Sequence, residues 1–221
     1  MASFSDQRRE MVERYKRGGY IRSSRVEEAI MAVPRELFME PQYRKYAYYD
    51  QPFPIPGDGR QTISAPYMYP VTYEPLRLEL GQRVLEIGAG SGYGAAIAQE
   101  LVGREGLVVT VEINPDTYRF AEKNLKEAGY SDVIVVLGDG TLGYQDLAPY
   151  DAVSITASTP DIPPPIYEQM AENSRLVAPV GGRGRYGQDL LLVEKHGGEI
   201  SKKSLMGVVY VPLIGKYGYP G

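Results

Sequence analysis

Val84-Leu85-Glu86-Ile87-Gly88-Ala89-Gly90-Ser91-Gly92-Tyr93-Gly94 passes from an apolar run into four glycines at alternate positions. This reads as a buried strand ending in a tight loop, because glycine tolerates positive φ and lacks the Cβ atom that would hold a ligand off the backbone. The residues that follow, Gly94 to Val102, read as a helix. Its N-terminus points back at the loop, where unpaired backbone N–H groups favour a polar or anionic ligand.

Spacing narrows the choice of ligand. A dinucleotide turn has G-x-G-x-x-G, whereas here the third glycine comes one residue early and Tyr93 stands where the last should be. Nicotinamide and flavin cofactors are disfavoured. With Glu86 two residues before the first glycine, the loop reads E-x-G-x-G-x-G and resembles that of S-adenosylmethionine methyltransferases. Glu112 closes the next strand, Leu107 to Val111, about twenty residues on, where an α/β nucleotide site places the acceptor for its ribose hydroxyls. A glycine-rich turn without a ligand is the bland alternative for the loop taken alone. The placement of Glu112 argues against it.

The 221 residues suffice for one domain with a full core and room for an addition. A formal net charge of −4 does not favour a broad basic face for nucleic acid. The absence of cysteine excludes disulfides, thiolate metal sites and cysteine nucleophiles. No metal is expected. The first residues lack the apolar core of a signal peptide, and no apolar run approaches the roughly 20 residues of a membrane span. The expectation is a cytoplasmic protein with no membrane partner.

Residues 6–33 read as two short helices parted by Gly18-Gly19, with Val26, Ala29, Ile30 and Val33 at helical spacing and Pro34 as a stop. Tyr43 to Pro56, rich in tyrosine and proline, reads as an ordered extended loop. Ser64, followed by Ala65-Pro66, fits an N-cap opening a helix toward Leu80. Pro70 and Pro75 should bend that helix or split it in two.

After Gly88 the order is regular: strand Arg83–Ile87, a helix, strand Leu107–Val111, helix Pro115–Ala128 capped by Asn114, and strand Asp132–Leu137. Strand Tyr150–Ile155 and a helix over Pro164–Asn173 continue it. The fold class is α/β, a mostly parallel doubly wound sheet. Leu176–Pro179, Leu190–Glu194 and Val208–Leu213 read as strands closing a β-rich C-terminal end with an antiparallel hairpin. One domain is expected over 1–221: N-terminal helices and extended loop over 1–58, and a core over 59–221.

The loops after three consecutive strands, at Gly88 to Tyr93, Glu112 to Asn114 and Gly138 to Gly140, share the carboxyl edge where open α/β sheets bind ligands. Glu86, Gly88, Gly90, Ser91, Gly92, Glu112, Ile113, Asp139 and Gly140 are therefore the candidate cofactor residues. Asp139 can accept from an exocyclic adenine amine, and its flanking glycines let a flat ring approach. A plain turn is the bland reading of Gly138-Asp139-Gly140.

Six blocks carry a more specific resemblance: QTISAP at Gln61 to Pro66, VLEIGAGSGYGAA from Val84, GDGTLGY at Gly138 to Tyr144, APYDAV at Ala148 to Val153, RLVAPVG at Arg175 to Gly181, and LMGVVYVPL at Leu205 to Leu213. Together they resemble the protein-L-isoaspartate (D-aspartate) O-methyltransferase family, and QTISAP and the VPL segment are its most specific parts. The resemblance implies a Rossmann-like methyltransferase fold with rearranged last strands and an N-terminal helical addition. It implies repair of damaged proteins: the free carboxylate of an L-isoaspartyl or D-aspartyl residue is methylated from S-adenosyl-L-methionine, leaving S-adenosyl-L-homocysteine. The ester then closes to a succinimide, whose hydrolysis returns some normal aspartate. By the same similarity Ser64 is the catalytic residue. Ala65, Pro66, Tyr67, Met68, Val211 and Pro212 would bind the acceptor peptide, and the chain would act as a monomer without nucleic acid.

The chain departs from the family at two motif positions, and the helix interrupted by Pro70 and Pro75 is unusual for it too. Tyr67 replaces the histidine of S-A-P-H-M, and Asn173-Ser174 replaces a glycine pair before R-L-V. The lone His196, beside Gly197-Gly198, reads as a surface turn residue. Two other classes are open from sequence: an amino-group methyltransferase, faintly suggested by Asp161-Ile162-Pro163-Pro164-Pro165-Ile166-Tyr167, and a cofactor-binding homologue without activity.

Overall fold

The computed structural model describes residues 2–182 and 187–221. Two helices come first. Ser3 caps α1 (Phe4–Arg17) in a reciprocal pair with Asp6, and basic Arg14, Lys16 and Arg17 in its last turn suit the helix dipole. Ser23 caps α2 (Ser24–Ala32) by accepting from Val26 N–H at 3.3 Å. The extended loop that follows carries β1 (Phe53–Pro54), paired antiparallel with β2 (Thr62–Ile63).

Ser64 does not cap the next helix. α3 runs over Met68–Leu76, and Tyr67 precedes it without a side-chain cap. The turn is set instead by Met68 N–H donating to Ala65 O at 3.0 Å and Tyr69 N–H to Pro66 O at 3.3 Å. Nor do the prolines split it. Pro70 falls in the first turn, where N–H groups have no helical acceptor, and Pro75 falls one residue from the end. Arg77 then closes the helix with φ 50°.

The main sheet has seven strands in the order β5-β4-β3-β6-β7-β8-β9. They are β3 (Arg83–Ile87), β4 (Leu107–Glu112), β5 (Ile134–Leu137), β6 (Tyr150–Ile155), β7 (Met170–Gly181), β8 (Gln188–His196) and β9 (Glu199–Val208). Strands β3 to β7 run parallel, β8 is antiparallel to both neighbours, and the last three form a meander. Helices α4 (Tyr93–Val102) and α5 (Pro115–Glu127) connect β3 to β4 and β4 to β5, and α6 (Pro164–Gln169) leads into β7. The chain moves outward from β3 in one direction, then returns to build β6 on its other side. The switch point therefore lies between β3 and β6.

Alternate residues explain the two-sided burial. Val84, Val108, Ala152 and Val177 face a core shared with α1 to α5, whereas Leu85, Val109, Val153 and Leu176 face a second core with Ile162, Ile166 and Leu213. The N-terminal helices thus pack onto the same core as α4.

Two strand boundaries differ from expectation. The helix predicted to Asn173 stops at Gln169, and β7 begins at Met170. Met170-Ala171-Glu172 are good helix formers, but pairing of Met170 with Tyr150 overrides propensity. The surplus residues leave as a bulge, where Asn173 takes φ 61°, a conformation open to glycine and, at lower cost than for most residues, to asparagine. The last strand lies at Glu199–Val208 rather than Val208–Leu213. Residues 209–213 instead cross the end of the sheet, where Ser158 N–H donates to Val211 O and Leu213 N–H donates to Ser158 O, both at 2.7 Å. His196 is exposed at the β8–β9 turn, as expected, and its ring meets Asn173 Oδ1.

Candidate active site

The loops after β3, β4, β5 and β6 meet at the carboxyl edge and enclose two adjoining cavities. The larger, about 280 Å³, is lined by Glu112, Ile113, Gly140 and the Val211-Pro212-Leu213 segment. The smaller, about 60 Å³, is lined by Ser64, Met68, Tyr69, Tyr73, Glu86 and Ser91. Thr62, Gly88, Gly90 and Thr156 belong to both. The glycine loop is the floor common to the two.

That floor is clamped at the switch point. Gly88 N–H donates to Val111 O at 2.8 Å, and Thr156 Oγ1 donates to Gly88 O at 2.6 Å. A Cβ at Gly88 would collide with Thr156 Oγ1. At Gly90, with φ 55°, the nearest atom to such a Cβ is Ile55 Cδ1 at 3.9 Å, so the backbone is open to the cavity. Gly92 lines neither cavity: its Cβ would lie 2.9 Å from Leu125 Cγ, so its smallness serves the packing of α4 on α5. Ser91 Oγ accepts from Tyr93 N–H at 3.3 Å, and Ser91 O accepts from the buried Asn124 Nδ2 at 3.0 Å.

Two buried carboxyls divide the site. Glu112, 7% exposed, accepts from Gly90 N–H at 3.1 Å through Oε2 and from Asn114 N–H at 3.0 Å through Oε1. Burial pushes its pKa up, and the backbone N–H groups oppose the shift. Its carboxylate is fixed at the wall of the larger cavity, beside the exposed Ile113 at the rim. Glu86 accepts from Thr110 Oγ1 at 2.8 Å in the smaller cavity. Burial pushes it up to about 8, opposed by the hydrogen bond from Thr110 and by the α4 backbone at Ala95, while the neighbouring Tyr73 OH donates to Gly94 O at 2.7 Å. Asp139, by contrast, is turned away from both cavities. Asp139 accepts from Thr141 N–H at 2.9 Å and Lys216 N–H at 2.8 Å and does not line the larger cavity, although Gly140 does.

On the opposite wall Ser64 lies between β2 and α3, and its carbonyl accepts from Arg35 Nη2 at 2.8 Å. Of the expected acceptor residues, Met68, Val211 and Pro212 line the cavities. Ala65 and Pro66 are buried in the turn before α3. Tyr67 lines neither cavity and packs on Tyr20, ring centroids 5.7 Å apart. Asp161 is exposed and accepts from Ile162 N–H and Lys202 Nζ, outside both cavities. The amine-binding reading of that segment has no site to serve.

Sequence reasoning missed Tyr69, Thr72 and Tyr73, which line the smaller cavity from one face of α3. The signal was present as a spacing of three and four residues, but the expected proline break obscured it. Thr156, one residue beyond β6, was missed because a lone threonine after a strand carries no motif.

The family model for Protein-L-isoaspartate(D-aspartate) O-methyltransferase matches residues 6–218. The protein-L-isoaspartate O-methyltransferase of Methanothrix thermoacetophila is 51% identical over 197 residues, covering 89% of this chain and 91% of that one. Protein-L-isoaspartate O-methyltransferase 1 of Archaeoglobus fulgidus is 47% identical over 216 residues, covering 98% and 97%. Among solved structures, a protein-L-isoaspartate O-methyltransferase superposes with a TM-score of 0.85 at 29% identity, over 96% of this chain and 67% of that one. A Plasmodium falciparum protein described as a protein-L-isoaspartate O-methyltransferase, in complex with S-adenosyl-L-homocysteine, gives 0.83 at 25% identity, over 94% and 98%.

Proposed function

The chain belongs to the protein-L-isoaspartate (D-aspartate) O-methyltransferase family, and from that premise we propose how its residues divide the work of methylating an isoaspartyl carboxylate. The observation that carries the assignment is the pair of cavities joined over Gly88 and Gly90, with Glu112 in one and Ser64 in the other. S-adenosyl-L-methionine, when bound, supplies a methyl group on a positively charged sulfur.

Glu112 accepts the ribose hydroxyls, because both its oxygens are already oriented by backbone N–H groups. Ile113 and Gly140 form apolar walls for the base, and Gly88 and Gly90 let the ligand lie against the backbone. Glu86 and Ser91 line the far end, while Gly92 serves through packing. The open contact at Gly90 and the ordered Glu112 carboxylate are the features that fit this cofactor.

The acceptor needs no general base. A carboxyl group with a pKa near 4 is already ionised at neutral pH. What remains is orientation, worth on the order of 7 to 11 kcal/mol when the reacting atoms are held in line. Ser64 donates a hydrogen bond that aims one carboxylate oxygen, and Met68 and Tyr69 exclude water beside it. Val211 and Pro212 hold the peptide backbone across the mouth. The expected acceptor is a damaged protein, with the chain acting as a cytoplasmic monomer without nucleic acid, in keeping with its net charge of −4.

The test is transfer of labelled methyl to two synthetic peptides that differ only in carrying isoaspartate or aspartate. Base-labile label on the isoaspartyl peptide alone is expected, and Ser64→Ala should lower turnover or acceptor affinity while S-adenosyl-L-homocysteine binding persists. Unchanged kinetics in that variant would remove Ser64 from the acceptor site.

A further inference from the structure

Among the described residues Arg35 is the largest fully buried side chain, at 0% exposure. It opens the 3-10 turn Arg35–Phe38, just after Pro34. Its Nε donates to Ala47 O and its Nη2 to Ser64 O, both at 2.8 Å, while Nη1 makes no hydrogen bond. The guanidinium lies over the rings of Tyr93 and Tyr69, at 5.4 and 5.8 Å from their centroids. Among the described residues no carboxylate forms an ion pair with it. The adjacent, buried Glu36 forms no ion pair with it and accepts from Tyr48 OH.

A guanidinium cannot give up its proton in a protein, and a buried charge without a counter-ion is costly to keep. Pinning two carbonyls would not by itself demand a full charge. Both Ser64 and Tyr69, which touch Arg35, are wall residues of the smaller cavity. The charge therefore stands one side chain behind the acceptor wall.

We propose that Arg35 is a positioning residue whose missing counter-charge is the acceptor carboxylate itself. This rests on the assignment of Ser64 to the acceptor site. The positive field draws an anionic side chain to Ser64 and holds the Ser64 carbonyl so that the hydroxyl keeps its aim. Methylation turns the carboxylate into a neutral ester and removes the attraction, so the same residue favours release of product.

The experiment compares an isoaspartyl peptide with its isoasparaginyl counterpart, a neutral isostere that accepts no methyl group and acts as a competitive inhibitor. Wild-type enzyme should prefer the isoaspartyl peptide by about tenfold, equivalent to about 1.4 kcal/mol. In Arg35→Gln, which keeps a donor for Ser64 O, the preference should collapse toward unity, with KM raised more than kcat is lowered and S-adenosyl-L-homocysteine binding retained. Arg35→Lys should keep the preference. A Gln variant that binds S-adenosyl-L-homocysteine normally and retains the full preference would reduce Arg35 to a structural pin. Should the Gln variant not fold, the wild type decides: the pKa of a carbon-13-labelled isoaspartyl carboxyl, bound with S-adenosyl-L-homocysteine, should fall by about one unit on binding. An unchanged or raised value overturns the proposal. Absence of methyl transfer by the wild type would instead strike the acceptor assignment on which it rests.

Discussion

The backbone N–H of Gly90 donates to Glu112 Oε2 at 3.1 Å, tying the glycine loop after β3 to the carboxylate that ends β4. Because Asn114 N–H takes the other oxygen at 3.0 Å, the carboxylate is fixed at the cavity wall before any ligand arrives. The two strongest sequence signals for the cofactor are thus one hydrogen-bonded unit.

Glu112→Gln would place an amide N–H₂ against one of these backbone donors and remove the charge that ribose hydroxyls would meet. Hydrogen bonds to a charged group contribute about 1.5–3 kcal/mol, so the Kd for S-adenosyl-L-homocysteine should rise roughly tenfold to a hundredfold. Calorimetric titration measures it. An unaltered Kd would take Glu112 out of the cofactor site.

Gly94 should be intolerant of alanine for a reason separate from the loop's conformation. A Cβ there would fall well inside contact distance of Glu86 Oε2 and 3.3 Å from Tyr73 OH, both buried. Overpacking of this kind costs about 2 kcal/mol, or roughly 4–8 °C of Tm for a chain of this length. A melt of Gly94→Ala within a degree of wild type would show that Glu86 can move aside.

The parallel half of the fold was legible because β3, β4 and β6 are buried on both faces and read as apolar runs bounded by glycine or proline. The C-terminal half was less so. β9 begins Glu199-Ile200-Ser201-Lys202-Lys203, an exposed edge strand whose lysines discourage further pairing, and its polarity hides it from hydrophobic patterning. Residues 209–213 are apolar yet cross the sheet's end rather than joining it, because they pair with Ser158. At the site, Glu112 and the glycine loop were visible as a motif. Arg35 was invisible, since nothing local marks an arginine for burial among tyrosines distant in sequence.

Glu86 predicts a pH dependence of stability. Burial raises its carboxyl from the ordinary value of 4.5 to about 8 in the folded chain. Between those values the native state holds a proton that the unfolded state has released, so this group makes stability fall as pH rises through the window and contributes no further change above it. Glu86→Gln removes the titration and keeps the acceptor for Thr110 Oγ1. The Tm of the variant relative to wild type should grow from about pH 4.5 to about pH 8 and then level. A difference that stays constant across that range would mean the carboxyl is ionised in the folded state.

Asp139 holds the C-terminal segment rather than facing the cavity. Its oxygens accept from Thr141 and from Lys216 N–H, Tyr217 N–H donates on to Thr141 Oγ1 at 3.2 Å, and Leu213, just before this segment, lines the larger cavity. A residue that receives the adenine amine would discriminate between S-adenosyl-L-homocysteine and its 6-oxo analogue, which lacks that amine. A residue that braces the wall would not. Asp139→Ala is therefore expected to weaken both ligands together, by roughly tenfold, the loss of one charge-assisted hydrogen bond. Their ratio should stay at the wild-type value in paired calorimetric titrations. If the ratio instead collapses toward one, the carboxylate itself reads the amine, and its contact with Lys216 must open when the ligand binds.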